Sequence, residues 1–272
     1  MNWIQSILYG FTMGFSEFIP VSSSAQSQIL QLLFGVSNHD PVRDVLVHIF
    51  SLLAFLIAWK NPLEMFLYHA QVTRHRSGKR NRNFRDNTDA RLVRGCTLPM
   101  LLAMFLIMYF STDATLMSTA LILIVNGIII FLPERMLQGN KSSGGMSVLD
   151  SWVIGIASAL SVIPGFSRMG LGISVAQMRG AGRKHALNWI YMLSVPALVL
   201  LICADIAGLT FGAQKIVLST GFLGYLLITV SSFAGSYLAV YFMRNIILNR
   251  GLNTFAYYSW GAALFIFILY LL

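Results

Sequence analysis

Charge is what this chain has least of. Only 11% of its 272 residues are Asp, Glu, Lys or Arg, while 56% are hydrophobic; soluble domains carry roughly 25% charged residues. So few charges cannot cover a water-facing surface, which excludes an ordinary soluble domain and leaves lipid as the main solvent. Acidic residues are scarcest, ten against nineteen Lys and Arg, for a net charge of +9. A basic excess can mean a nucleic-acid partner, but no basic face interleaved with aromatics is present. The basic residues lie in a few loops between apolar runs, the positive-inside pattern of a membrane protein, so no nucleic acid is expected. Cysteine is nearly absent too. Cys96 and Cys203 each sit in or beside an apolar run, without CxxC or metal-ligand spacing, which excludes a disulfide scaffold and a cysteine metal site. The first residues lack the basic start of a cleavable leader, so the N-terminal segment is expected to remain with the chain.

What is present is apolar sequence in span-sized pieces. A helix needs about 20 apolar residues to cross a bilayer. Six runs qualify, with some tilt: Val45–Trp59, Cys96–Phe110, Leu116–Leu132, Ala186–Ala207, Ile216–Met243 and Phe255–Leu272. Two more regions are apolar but broken. Trp3–Phe34 is interrupted by Glu17, Pro20 and the run Ser22, Ser23, Ser24; Val148–Met178 is interrupted by Pro164, Gly165, Ser167 and Arg168. Each half of such a region is too short to span. Broken backbone at membrane depth is tolerated only against protein or a water-filled cavity, so both regions read as re-entrant helical hairpins.

The breaks resemble one another. Ile19-Pro20 is followed by Ser23, and Ile163-Pro164 by Ser167. Three spans follow each hairpin, and three crossings place the two hairpins on opposite faces. The expected fold is therefore an all-α integral membrane protein of six transmembrane helices and two re-entrant hairpins, arranged as an inverted-topology repeat with the site between the broken helices. The first repeat is residues 1–140, with hairpin 3–34 and a basic loop 60–95; the second is 141–272, with hairpin 148–178. In this arrangement sixteen of the nineteen Lys and Arg fall on one side, nine of them between Lys60 and Arg94. That side is expected to be cytoplasmic, and the segment Tyr68–Arg94 to be a flexible loop able to touch anionic headgroups.

Ionisable residues inside the membrane are functional candidates by default. Here they are Glu17, His48, Arg168 and Asp205. Glu17 precedes the break in one hairpin and Arg168 follows the break in the other. If the tips meet, a carboxylate, a guanidinium, the hydroxyls of Ser22, Ser23, Ser24 and Ser167, and half-helix N-termini share one cavity. Helix N-termini favour anions and arginine holds phosphate through a planar fork, so the set suits a phosphate or pyrophosphate headgroup. A simpler reading keeps Glu17 and Arg168 as a buried ion pair that only fixes the hairpins. His48 stands equally as an interface histidine or a proton carrier, and Asp205 as a water-reached end residue. Ser174, Gln26 and Gln28 stand as cavity lining or as hydrogen bonds between helices.

The stretch Gly14-Phe15-Ser16-Glu17-Phe18-Ile19-Pro20-Val21-Ser22-Ser23-Ser24 resembles the first motif of the undecaprenyl pyrophosphate phosphatase family, and Pro164-Gly165-Phe166-Ser167-Arg168 resembles its second. The similarity runs nearly the whole chain, including Ser194-Val195-Pro196 and Phe255-Ala256-Tyr257-Tyr258. It implies a multi-pass enzyme of the bacterial inner membrane that removes the terminal phosphate of undecaprenyl pyrophosphate and so recycles a cell-wall lipid carrier. It also implies a divalent cation, Mg or Ca, with Glu17 as its ligand. The catalytic set carried over is Glu17, Ser23, Ser167 and Arg168, with His48 as a substitute proton partner. The headgroup set is Ser22, Ser24, Gln26, Gly165 and Arg168. The chain departs from the motifs at four places. Met13 stands for an acidic or amide residue, Gln26 for the motif histidine, Met169 for a serine and Gly172 for a threonine. Glutamine is neither base nor nucleophile, so a non-hydrolytic binder or translocase of polyprenyl phosphate is the alternative. Expected partners are the polyprenyl pyrophosphate lipid, the bilayer and, as a candidate, a second copy of the chain.

Overall fold

The computed structural model describes residues 1–36, 40–60, 84–110, 114–136, 139–211, 218 and 220–271. These form ten α-helices: α1 Trp3–Glu17, α2 Ser23–Phe34, α3 Pro41–Ala58, α4 Phe84–Phe110, α5 Leu116–Phe131, α6 Val148–Ala159, α7 Arg168–Met178, α8 Arg183–Phe211, α9 Phe222–Asn249 and α10 Asn253–Leu271. Six helices are long and apolar enough to cross a membrane: α3, α4 from Arg91, α5 with the turn that follows it, and α8, α9 and α10. The chain is a multi-pass integral membrane protein. Large apolar side chains in the helix interiors such as Phe105 and Leu264, 58% and 62% exposed, cover its flanks, where lipid replaces water.

Local chemistry explains where the broken regions start and stop. Asn2 caps α1 in a capping box with Gln5. The chain then leaves helical geometry at Phe18, and Pro20 removes a donor just beyond it. Ser22 caps α2 by accepting from the Ala25 amide, and Gly35, at φ 65°, ends it in the left-handed conformation. The second broken region repeats the scheme, with a Ser147–Asp150 capping box opening α6 and Ser167 capping α7. Helices of 15, 12, 12 and 11 residues reach only about 16–22 Å at 1.5 Å per residue, short of a bilayer core of about 30 Å.

The basic segment differs in part from its expectation. Residues 61–83 lie outside the described residues, but α4 begins at Phe84, so its last part is helix rather than loop. Leu92 and Val93 are buried in the main core, and that packing carries the helix well beyond the apolar run. Likewise α3 begins at Pro41, capped by Asp40, and α8 at Arg183. Cys96 and Cys203 are free thiols, one buried and one exposed.

Packing pairs equivalent elements of the two halves. The first half-helix of each hairpin lies on the second span of the other half: α1 on α9, and α6 on α4. The first spans, α3 and α8, pack together, as do the third, α5 and α10. Small residues permit the closest approaches. A Cβ on Gly10 would lie 2.4 Å from the Ile228 carbonyl oxygen, and one on Gly14 would lie 2.1 Å from that of Ser232. In the other half, a Cβ on Gly155 would lie 2.3 Å from the Cys96 carbonyl oxygen. Glycines four apart are the means by which membrane helices bring backbones together when no water is there to drive them. Ser236 secures the first seam, donating to the Gly14 carbonyl at 2.9 Å and sharing a hydrogen bond with Ser51 Oγ at 2.9 Å. These seams carry both breaks into the middle of the molecule.

Candidate active site

The two breaks meet and are tied at three points. Arg168 Nη2 donates to Glu17 Oε2 at 2.8 Å. The Gly165 amide donates to Ser22 Oγ at 3.1 Å, and Ser167 Oγ to the Ile19 carbonyl at 3.5 Å. Gly165 adopts φ +106°, and a Cβ there would press on Ile122 and the Thr119 carbonyl at 2.8 Å, so only glycine brings this amide to Ser22. The Ser167 amide donates to Asn126 Oδ1 at 3.0 Å, and Asn126 Nδ2 to Ser259 Oγ at 3.2 Å, which anchors the second break to α5 and α10. Asn126 did not enter the sequence reading. Its signal was there: one amide inside a run of aliphatic residues.

A cavity of about 850 Å³ opens beside this junction. Glu17, Ser23, Ser24, Gln28, Gln31, Ser167, Arg168, His48, Asp205 and Asp44 give it a polar region; Val36, Leu32, Met108, Leu116 and Leu201 give it apolar walls. Glu17 and Arg168 are each only 6% exposed. Arg168 keeps a free donor, since its buried Nε has no hydrogen-bond partner among the described residues. The start of α2 also faces this region through Ser23 and Ser24, and the first amides of a helix lack intrahelical partners. Arg168, the Ser23 and Ser24 hydroxyls and the start of α2 thus line the same cavity.

The expected site residues separate into three groups. Glu17, Ser23, Ser24, Ser167, Arg168 and His48 line the cavity. Ser22 and Gly165 do not; they belong to the tie between the breaks, and Ser22 is completely buried. Ser167 serves both, since its hydroxyl also accepts from the Gly170 amide at 3.1 Å as the α7 cap. Gln26 is turned away from the cavity: its Oε1 accepts from Tyr258 Oη of α10 at 2.9 Å. One helical turn carries Ser23 and Ser24 to the cavity side of α2 and Gln26 to the α10 side, a direction residue spacing from the break does not reveal. Of the further polar residues, Gln28 lines the cavity and Ser174 is buried away from it.

His48 and Asp205 come together. His48 Nδ1 lies 2.7 Å from Asp205 Oδ2, and His48 Nε2 lies 3.9 Å from Glu17 Oε1. A carboxylate accepts hydrogen bonds and does not donate them, so Nδ1 carries the hydrogen toward Asp205 and Nε2 faces Glu17.

The donor set does not build a resident site for Mg or Ca. Glu17 Oε2 is engaged by Arg168, Met13 fills the neighbouring position on the cavity wall, and Asp205 is engaged by His48. Among the described residues no three of His, Cys, Asp and Glu are grouped for a metal. Calcium takes six to eight oxygen ligands and magnesium a near-ideal octahedron.

The family model for the bacitracin resistance protein BacA matches residues 6–265. The chain belongs to this family. It is 27% identical to the undecaprenyl-diphosphatase of Carboxydothermus hydrogenoformans over 99% of this chain and 98% of that one. It is 30% identical to the undecaprenyl-diphosphatase of Methanobrevibacter smithii over 98% of both chains, and 27% identical to undecaprenyl-diphosphatase 4 of Bacillus thuringiensis subsp. konkukian over 99% and 98%. Within the BacA frame, the position expected for the motif histidine is the one facing Tyr258. Gln26→His should therefore change turnover by less than about threefold, well under the 1.36 kcal/mol that marks a factor of ten. Steady-state phosphate release is the check, and a rise of tenfold or more would place residue 26 in the cavity after all.

Proposed function

We propose that this BacA-family chain is a membrane-embedded hydrolase that removes the terminal phosphate of undecaprenyl pyrophosphate, or a close polyprenyl analogue, and returns the lipid carrier to cell-wall synthesis in the bacterial inner membrane. One observation carries the reading: Glu17 and Arg168, from separate hairpin breaks, meet at a cavity with a polar region and apolar walls. Arg168 and the start of α2, with the Ser23 and Ser24 hydroxyls, hold the diphosphate. The wall of Leu32, Met108 and Leu116 takes the first isoprene units. Glu17 orients the guanidinium. Charge building on the bridging oxygen as the phosphorus–oxygen bond breaks is met by Arg168 in a water-poor site, where a fixed donor is most effective. The exchange of equivalent contacts between hairpins and spans supports the division into repeats 1–140 and 141–272.

The test is phosphate release by the purified full-length protein from undecaprenyl pyrophosphate in detergent, with and without added divalent cation. Release well above that of Glu17→Ala is expected. Release no greater than that of Glu17→Ala, with lipid binding retained by the wild type, would overturn the reading in favour of a non-hydrolytic binder.

A further inference from the structure

Gln26, where the resemblance places a histidine, accepts from Tyr258 and does not line the cavity. Hydrolysis still needs a group that takes a proton from the attacking oxygen. His48 is on α3 and Asp205 on α8, the first spans of the two halves, which pack directly together. Both line the cavity. Their side chains are 16% and 18% exposed, against 4% for Glu17, so the pair sits where water can reach it and the Glu17 carboxylate lies deeper. A histidine and an aspartate at membrane depth are costly unless they have work.

We infer that His48 is the general base of this hydrolysis and Asp205 its positioning residue, the pair standing in from the spans for the histidine missing from the hairpin. The inference rests on the phosphatase reading above. His48 Nε2 and Glu17 Oε1 are 3.9 Å apart, too far to bond each other. A single oxygen off the line between them reaches both at about 2.8 Å, an ordinary hydrogen-bond length. A water held there has its lone pair free for the terminal phosphorus. As its oxygen bonds to phosphorus, one water proton passes to His48 Nε2. The bond from that phosphorus to the bridging oxygen breaks, and its electron pair stays on the lipid monophosphate. Inorganic phosphate leaves, and the Nε2 proton returns to solvent. Asp205 holds the ring so that Nδ1 carries the fixed hydrogen and Nε2 the lone pair, and it stabilises the cation that forms. In the serine protease triad the analogous aspartate is placed in the same way.

A pair that merely stapled α3 to α8 would look similar at rest, so the test separates rate from affinity. Substitutions His48→Gln, Asp205→Asn and Asp205→Glu are compared with wild type for kcat, KM and melting temperature. General base catalysis is worth about 10²–10⁴-fold, so His48→Gln should lower kcat by at least ~100-fold with KM within about threefold. Asp205→Asn should lower kcat by at least ~10-fold, and Asp205→Glu should recover most of it. A His48→Ala variant should regain turnover when free imidazole is added, since the ring's own space is vacated beside the water position; a lost staple is not replaced by a diffusible ring. Wild-type kcat in His48→Gln overturns the inference, as does loss that appears only in melting temperature or KM. No release from the wild type itself overturns the phosphatase reading and this inference with it, a result distinct from active wild type with active variants.

Discussion

Arg168→Lys should lose at least about tenfold in headgroup affinity, near 1.4 kcal/mol, while the protein still folds. The guanidinium binds Glu17 through Nη2 and leaves Nε unpartnered within the buried site. A lysine ammonium can keep the attraction to Glu17, so the hairpins stay together. It cannot offer a second, coplanar donor to phosphate, because it is a point charge on a flexible stem. Arg168→Ala is a different experiment. It strands the Glu17 carboxylate at 6% exposure without its partner, and breaking a buried pair in this way costs about 3–5 kcal/mol. Isothermal titration with a polyprenyl phosphate, alongside thermal unfolding in detergent, separates the two effects. Wild-type affinity in Arg168→Lys would mean that Arg168 serves Glu17 alone and the phosphates are held elsewhere.

Gly14→Leu should abolish turnover without touching the cavity. Even the first carbon of a side chain at Gly14 would lie 2.1 Å from the Ser232 carbonyl oxygen, and that neighbour is helix backbone with nowhere to go. Overpacking of this kind typically costs about 1–3 kcal/mol, and α1 can relieve it only by moving off α9. Glu17 lies at the end of α1, so the carboxylate moves with the helix. A displacement of about 1 Å can cost on the order of 10²-fold in rate. The expected result is a protein that still inserts, melts several degrees lower and releases little phosphate. Gly208→Leu, where a Cβ meets nothing within 4 Å, is the control and should behave as wild type. Full activity in Gly14→Leu would mean that the α1–α9 seam does not hold the site.

The large features of the fold were legible in the residues because lipid makes them obligatory. A run of about 20 apolar residues must be helix, and a proline with serines inside such a run must be a break with a cap beyond it. The six spans and the two broken regions follow from that; the meeting of Glu17 with Arg168 stood only as a condition until the packed helices showed it. The ends of helices were less legible. The apolar run stops at Cys96, yet Leu92 and Val93 continue α4 because they find a core to pack in.

The chain's membrane character, its breaks and the chemical types gathered at them are local matters: hydropathy, proline, serine and two intramembrane charges settle them without reference to the rest of the molecule. Which side chains turn toward the cavity is not local. Ser22, Ser23 and Ser24 stand together in the sequence, but a helix advances about 100° per residue, and only the packed neighbours decide that Ser22 ties Gly165 while Ser23 and Ser24 face the cavity. Gln26 turns to Tyr258, 232 residues away, and His48 meets Asp205, 157 residues away. Such partners are chosen by how α2 packs with α5 and α10 and how α3 lies on α8, contacts that exist only once the helices have assembled. The tertiary structure alone therefore placed an imidazole, rather than the glutamine at the motif position, beside the Glu17 carboxylate.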